Sequence, residues 1–330
     1  MKSVDKALSI KERSLELGFS TVGIADLGPN VHGKHLSRWL ALGMAGTMTY
    51  MHRQEKRRLD PSTILPGATR AVVVARNYFS PDPPRNTGTG RVAKYARGPD
   101  YHDVLQAPLK ELADFVKSLG DADTIARAYV DAGPVPEREL AQRAGLGWIG
   151  KNTMLIHPRL GSYHFLAAVL TNLDVATDEP FLDDRCGSCR RCIDCCPTAA
   201  IDDARMLDSR RCISYLTIEY KGPISEELQG SMGDWIFGCD VCQHVCPWNV
   251  KFARPADDHM LSIDPNRATE DLEQLCDVSP GLFNRRFGKT PLERPGVERI
   301  RRNARIALKN VNAKDSSEST DALKMDVNTG

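Results

Sequence analysis

Three absences narrow the reading of this 330-residue chain. Long hydrophobic runs are missing: the purest, Ala71-Val-Val-Val-Ala75, is far shorter than the ~20 residues a membrane span requires, so a transmembrane helix is excluded. An excess of either charge is missing, with 44 Lys+Arg against 43 Asp+Glu and a net charge of +1. Nothing in that balance forces a polyanionic partner, although a neutral total can conceal a basic patch. The first ten residues, Met1 to Ile10, contain no apolar stretch of the kind a signal peptide carries. A cytoplasmic location and no membrane partner are therefore expected. Aromatic residues are few, at 6%, but 41% hydrophobic and 26% charged residues make an ordinary globular composition, which excludes wholesale disorder. The length suggests two domains, or one large domain with an insert.

Cysteine is the abundant exception. Nine of the ten cysteines lie between Cys186 and Cys246, and the tenth is Cys276. In a chain expected in the cytoplasm, such crowding argues for metal rather than disulfides. Cys186, Cys189, Cys192 and Cys196 follow the bacterial ferredoxin spacing C-x2-C-x2-C-x3-C-P. Cys239, Cys242 and Cys246-Pro247 repeat it one cysteine short, and Cys212 can supply the missing thiolate. In two-cluster ferredoxins the fourth cysteine of each run reaches the other cluster. The implied partition is Cys186, Cys189, Cys192 and Cys246 on one [4Fe–4S] cluster, and Cys196, Cys212, Cys239 and Cys242 on the second. Structural zinc is the competing reading, but zinc asks for neither the third close cysteine nor the C-P tail. Cys195 and Cys276 are left as plain thiols.

Residues 4–17 read as an amphipathic helix with Leu8, Ile10, Leu15 and Leu17 among charges, and residues 20–25 as a strand. Helical pattern is expected over 36–43, 103–119 and 137–144. Strands are expected over 70–78, 124–130 and 161–170, with a Pro/Gly-rich loop over 80–90. Residues 251–298 look irregular, and 297–311 read as a basic helix. The order of elements suggests an α/β or α+β architecture.

Asp131 follows a predicted strand and precedes Gly133 and two prolines, a place for either a held general acid or a turn cap. Gly145-Leu-Gly-Trp-Ile-Gly-Lys151 fits G-x-G-x-x-G literally but follows no predicted strand, so a cofactor surface competes with a tight turn. His157 can contact a cofactor or be a satisfied loop histidine. Asp100 ahead of Tyr101-His102 reads as a helix cap. From Arg285 to Lys309 there are nine Lys/Arg and two acids, either a phosphate-contact surface or a solvated helix face.

These residues together resemble a known family. Arg58-x-x-Pro61, Asp100-Tyr-His102, Asp131-x-Gly133, Glu137-Arg138, the run from Gly145 to Asn152, the Cys186 run, Arg211-Cys-Ile-Ser214, Tyr220-Lys-Gly222, Gly238-Cys-Asp-Val-Cys242 and Arg302-Asn-Ala304 are similar to the epoxyqueuosine reductases. The resemblance covers residues 4–311. It implies an α+β fold: a nitroreductase-like cobalamin-binding domain over 1–180, a ferredoxin-like two-cluster domain over 181–250, and a short basic, helical region over 251–312. A tail over 313–330 is expected to lack fixed structure. It further implies base-off cobalamin beside two [4Fe–4S] clusters, although the corrinoid string D-x-H-x-x-G is absent, as that family is known to lack it. The implied reaction reduces epoxyqueuosine to queuosine at the wobble position of tRNA. Asp131 would be the proton donor. Arg58, Asp131, Arg138, Leu155, Ile156, His157, Ser214 and Asp240 would line the cobalamin. Lys221, Arg285, Lys289, Arg301 and Arg302 would face the tRNA. An external one-electron donor and a monomeric chain are also expected. A corrinoid reductase of small molecules, such as organohalides, would not need the basic stretch, and a zinc-stabilised RNA-binding module would leave the Asp131 region unexplained.

Overall fold

The computed structural model describes residues 1–84, 86–131, 133–202, 205–256, 261 and 264–326. Its strands, among the described residues, are β1 (Thr21–Asp26), β2 (Arg70–Asn77), β3 (Thr89–Val92), β4 (Ala126–Tyr129), β5 (Trp148–Ile149), β6 (Leu155–Ile156), β7 (His164–Thr171), β8 (Trp235–Phe237) and β9 (Thr269–Asp271). Four of them form one antiparallel sheet in the order β1-β2-β7-β4. Helices cover both faces. Val72, Val74 and Val169 pack with Ile10, Leu105, Leu109 and Leu112 on one side. Ala71, Val73 and Leu170 pack with Leu140, Ala141 and Ala144 on the other. Burial on both faces is why β2 reads as an unbroken apolar run instead of alternating. The mixture of helices with an antiparallel sheet is the expected α+β class.

The first helix, Ser3–Glu16, lies where it was expected but turns a different face inward. Ala7, Ile10 and Ser14 are buried, while Leu8 and Leu15 are 55% and 52% exposed. The buried positions keep helical spacing, and Ser14 satisfies its hydroxyl on Ile10 O at 2.8 Å. Apolar identity misled here, and position on the helix decided.

The described residues of 251–298 are not irregular. They hold β9, the helices Leu272–Cys276 and Pro280–Phe287, and the 3-10 turn Pro291–Glu293. Pro280 and Pro291 stand at the first turns of their elements, where a missing N–H costs nothing, so they start structure instead of breaking it. The end of the 80–90 loop is likewise ordered as the start of β3. β3 pairs in parallel with β8 and antiparallel with β9. Boundaries at 180 and 250 therefore cut across one small sheet built from all three segments. The last helix, Val297–Asp326, continues through residues expected to be unstructured, and no Gly or Pro interrupts it. Residues 327–330 of that expected tail lie outside the described residues. No helix among the described residues is long and apolar enough to cross a membrane.

Candidate active site and cysteine centres

The main sheet presents Asp131 just beyond the end of β4. Its backbone sits at φ +47, a left-handed conformation that costs a non-glycine residue about 1–2 kcal/mol. It does not cap the next helix, Glu137–Arg143, whose N-cap is Pro136. Instead the Tyr101 hydroxyl donates to its Oδ2. His102 Nε2 lies 3.8 Å from the same oxygen. Tyr101 is fixed by stacking on Phe165 with centroids 4.2 Å apart, and burial pushes its phenol up, so it remains a donor. Asp100 caps the Tyr101–Ser118 helix as expected, accepting from His102 N at 3.0 Å. It also meets His102 Nδ1 at 2.8 Å and Arg294 Nη2 at 3.0 Å. Despite opposing burial, these partners hold its carboxyl down at about 2. Arg294 reaches in from the C-terminal region, its guanidinium carbon 5.2 Å from the Tyr101 ring centroid, and its Nη2 also stands beside His102 Nδ1. Sequence reading missed Arg294 because nothing local marks it as a neighbour of Asp100.

Charged and phenolic groups gather around Asp131. Glu137 is pushed up to about 7 by burial and then by the Asp131 charge, against the pull of Arg58 and Arg138. Arg58 Nη2 donates to Gly133 O at 2.9 Å, and its Nε is buried without a partner. Arg138 donates to Thr153 O at 2.5 Å and is exposed, though the surrounding protein lowers its proton affinity. Tyr50, which sequence reading also passed over, is pushed up to about 12 by burial, and feels Glu219, Arg58, Asp131 and Tyr215. Tyr50 thus lies within electrostatic reach of both Asp131 and Tyr215, the latter on the helix Ile213–Ile218 whose N-cap is Cys212. Ser214 sits on the first turn of that helix, half-buried.

Other expected lining residues are placed differently. Leu155 and Ile156 are buried in two cores, so any contact they give a bound group comes from their backbone. His157 is buried, accepts from Arg159 N at 3.1 Å, and is pushed down to about 4 by desolvation and then by Arg159. Asp240 is enclosed: its carboxylate accepts from Lys94 N at 2.8 Å, and burial pushes it up. It faces Lys94 and Arg97 because the turn between Cys239 and Cys242 directs it inward. His164, at the start of β7, is buried and pushed down to about 3 by desolvation and then by His157, against a hydrogen bond with the Gly161 backbone. The glycine string resolves as a hairpin of β5 and β6 that follows a helix. A Cβ on Gly147 would stand 2.1 Å from Ile156 O, so only glycine allows the approach.

No cysteine is paired in a disulfide. Cys186, Cys189, Cys192 and Cys246 line one cavity of about 40 Å³ together with Lys151 and Trp248. Burial, then the neighbouring thiols Cys186, Cys246 and Cys189, pushes Cys192 up to about 11. Cys212 lies within electrostatic reach of Cys196, and Cys242 of Cys239 and Cys212, all in buried surroundings. Among the described residues no three His, Cys, Asp or Glu side chains converge as a single ion requires. Four thiols that surround a space, rather than a point, fit a multinuclear core bound through their thiolates. Cys195 is exposed, and Cys276 is buried in the C-terminal core.

The basic residues divide. Lys221, Arg285 and Lys289 are exposed. Arg301 is tied to Val278 O at 3.0 Å and to Glu298. Arg302 donates to Tyr220 O at 2.9 Å, Gly222 O at 2.7 Å and Leu216 O at 2.6 Å. It is thus a clamp on the loop that carries Lys221, and not a free cation at the surface, because those carbonyls at the end of the Ile213–Ile218 helix have no intrahelical donor.

Comparison with known proteins follows the same segments. The profile described as "Epoxyqueuosine reductase QueG, DUF1730" matches residues 58–132, and "4Fe-4S double cluster binding domain" matches 185–249. An epoxyqueuosine reductase of Pseudomonas aeruginosa is 40% identical over 92% of this chain and 85% of its own. One of Gloeobacter violaceus is 41% identical over 92% and 95%. Among solved structures, an epoxyqueuosine reductase with an epoxyqueuosine-modified tRNA-Tyr stem loop superimposes with a TM-score of 0.84 at 32% identity, covering 92% of this chain and 81% of that one. A Bacillus subtilis epoxyqueuosine reductase, described with an aspartate-bearing catalytic loop swung out of the active site, gives 0.83 at 33% identity over the same shares.

Proposed function

The chain belongs to the epoxyqueuosine reductase family, and from that premise we propose that it reduces epoxyqueuosine to queuosine at the wobble position of tRNA. The observation that carries this reading is the carboxyl of Asp131, held by Tyr101, with Tyr50 in electrostatic reach of both it and Tyr215 on the helix that begins at Cys212, beside the second group of thiols. The reacting cleft is assigned to the space between Asp131 and that helix. Removing an epoxide oxygen as water takes two electrons and two protons, and this placing offers both a proton donor and an electron source.

Two [4Fe–4S] clusters are assigned to the two thiol groups, divided as their spacing and grouping suggest. Cobalamin in a nitroreductase-like domain is assigned to the cleft. The unpartnered Arg58 Nε there suits the amide groups that fringe a corrin ring. Arg58, Arg138, Ser214 and the backbone at 155–157 would hold it, and when bound it would supply two-electron chemistry at carbon that single-electron clusters lack.

The chain's own residues handle the proton. Asp131 holds it toward the epoxide oxygen, and the Tyr101 hydroxyl fixes the carboxylate once the proton has left. His102 and Arg294 keep Tyr101 and Asp100 in place. Glu137, titrating at about 7, is a nearby store for the second proton. Lys221, Arg285 and Lys289 are assigned to tRNA phosphates. The substrate of the tRNA-bound relative supports this choice. The test is anaerobic incubation of reconstituted protein with epoxyqueuosine-containing tRNA, followed by mass spectrometry of its nucleosides. Conversion to queuosine that Asp131→Asn abolishes supports the reading, and full conversion by that variant removes Asp131 from the acid role.

A further inference from the structure

The first strand and turn of the glycine-rich hairpin, Trp148 to Asn152, take no part in the chemistry above, yet three of their side chains land on the cysteine segment. Trp148 Nε1 donates to Cys186 Sγ at 3.4 Å. Lys151 Nζ donates to Gly187 O at 2.7 Å and Cys189 O at 3.0 Å. Asn152 Nδ2 donates to Cys242 O at 3.3 Å. Trp148 is buried and wedged between Phe181 and Trp248, with centroids 5.6 and 4.8 Å away. The indole N–H is therefore held on the sulfur by packing on both sides.

We infer that this hairpin raises the reduction potential of the centre held by Cys186, Cys189, Cys192 and Cys246. The inference rests on the reading that those thiols hold a [4Fe–4S] cluster. Reduction passes one electron from an external one-electron carrier, which is oxidised, to the cluster. No bond is made or broken, and the cluster gains one negative charge. A donor aimed at a ligand sulfur, and an ammonium fixed on the ligand loop, both favour the more negative state. The other thiol group has a different field. Ala200 N donates to Cys196 Sγ at 3.3 Å, the buried Asp240 carboxyl stands beside Cys239, and the nearby cations Lys94 and Arg97 are paired with Asp82. Asn152 reaches the second group through the Cys242 carbonyl, whereas the sulfur donor and the ammonium both sit on the cavity-lining cluster and make it the readier acceptor of electrons from outside.

The test uses the full chain, reconstituted anaerobically with iron and sulfide, as parent, Lys151→Gln, Lys151→Arg and Trp148→Phe. Iron per chain is counted, and each cluster's midpoint is read by potentiometric titration followed by electron paramagnetic resonance. Lys151→Gln and Trp148→Phe are expected to lower one midpoint by roughly tenfold in the reduction equilibrium, about 59 mV for one electron. The other midpoint stays put, and Lys151→Arg stays near the parent. Unmoved midpoints at full iron content overturn the inference, as do two midpoints that shift together. Should Trp148→Phe lose iron, Lys151→Gln decides alone, since Lys151 touches only backbone carbonyls of the cluster loop. A parent chain that takes up no cluster refutes the underlying reading and this inference with it. A parent with two clusters and unmoved variants refutes this inference only.

Discussion

Replacing Tyr101 by Phe removes one oxygen atom and tests how the acid is held. The stacking on Phe165 and the Arg294 contact with the ring face survive, so the helix and its core are left intact. What is lost is the hydroxyl donated to Asp131 Oδ2, the one side-chain hydrogen bond on that carboxylate among the described residues, together with the acceptor that Arg294 Nη1 meets at 3.5 Å. His102 Nε2 at 3.8 Å is too distant to replace it. The Asp131 side chain is 58% exposed and its backbone is in a costly left-handed turn, so little else holds it in the cleft. A hydrogen bond to a charged group contributes about 1.5–3 kcal/mol, which converts to a roughly 10- to 100-fold fall in kcat. The assay is single-turnover conversion of epoxyqueuosine in tRNA, with iron content and tRNA affinity measured on the same preparation. A fall of that size with unchanged tRNA affinity supports the positioning role. Turnover within twofold of the parent refutes it.

Asp131→Asn keeps the shape but lacks the acid, and is expected to lose about 100-fold or more in turnover while iron content stays the same. Glu270 is pushed from an ordinary 4.5 to about 7, chiefly by burial, so it holds its proton more tightly folded than unfolded and its contribution to stability falls as pH rises between those values. His157 and His164, pushed down from 6.5 chiefly by burial, contribute the opposite slope below that value, so the test is the difference between parent and Glu270→Gln. Relative to the variant, the parent should lose about 1–3 kcal/mol in chemical denaturation between pH 5 and pH 8. A parent that gains on the variant over this range contradicts the assignment. Arg302→Ala leaves three carbonyls without their donor and is expected to cost about 2–4 kcal/mol in chemical denaturation, a structural loss. Changing Lys221, Arg285 and Lys289 together to Gln should instead leave stability alone and reduce the slope of log affinity against log salt by about 2. An unchanged slope would move the tRNA surface elsewhere.

Much of the fold was legible because covalent spacing and burial leave local marks. β2 is readable as a run of Val, and the ferredoxin spacing groups Cys186, Cys189, Cys192 and Cys246, the four that line one cavity. Asp131 is readable as special from the strand before it and the Gly and prolines after it. What was not legible depends on distant partners. Arg294 belongs to the acid's surroundings only because the C-terminal region folds back onto Asp100, whose N–H meets Lys289 O at 2.9 Å. Arg302 looked like a free cation and is a clamp, since its acceptors lie some eighty residues earlier. The face of the first helix was misread because Leu8 and Leu15 are apolar yet exposed, while Ser14 is polar yet buried with its hydroxyl satisfied. Residues 251–298 looked irregular because a proline at the first turn of a helix and a proline that ends one are spelled alike.

The central claim is that this cleft reduces epoxyqueuosine on tRNA with cobalamin and two clusters. The most direct test is one anaerobic reaction of iron-, sulfide- and cobalamin-reconstituted protein with epoxyqueuosine tRNA, with metals counted before and nucleosides read after. The account predicts about eight irons and one cobalt per chain and queuosine in the product tRNA. Eight irons with no cobalt and unchanged epoxyqueuosine would contradict it and leave an electron-transfer protein.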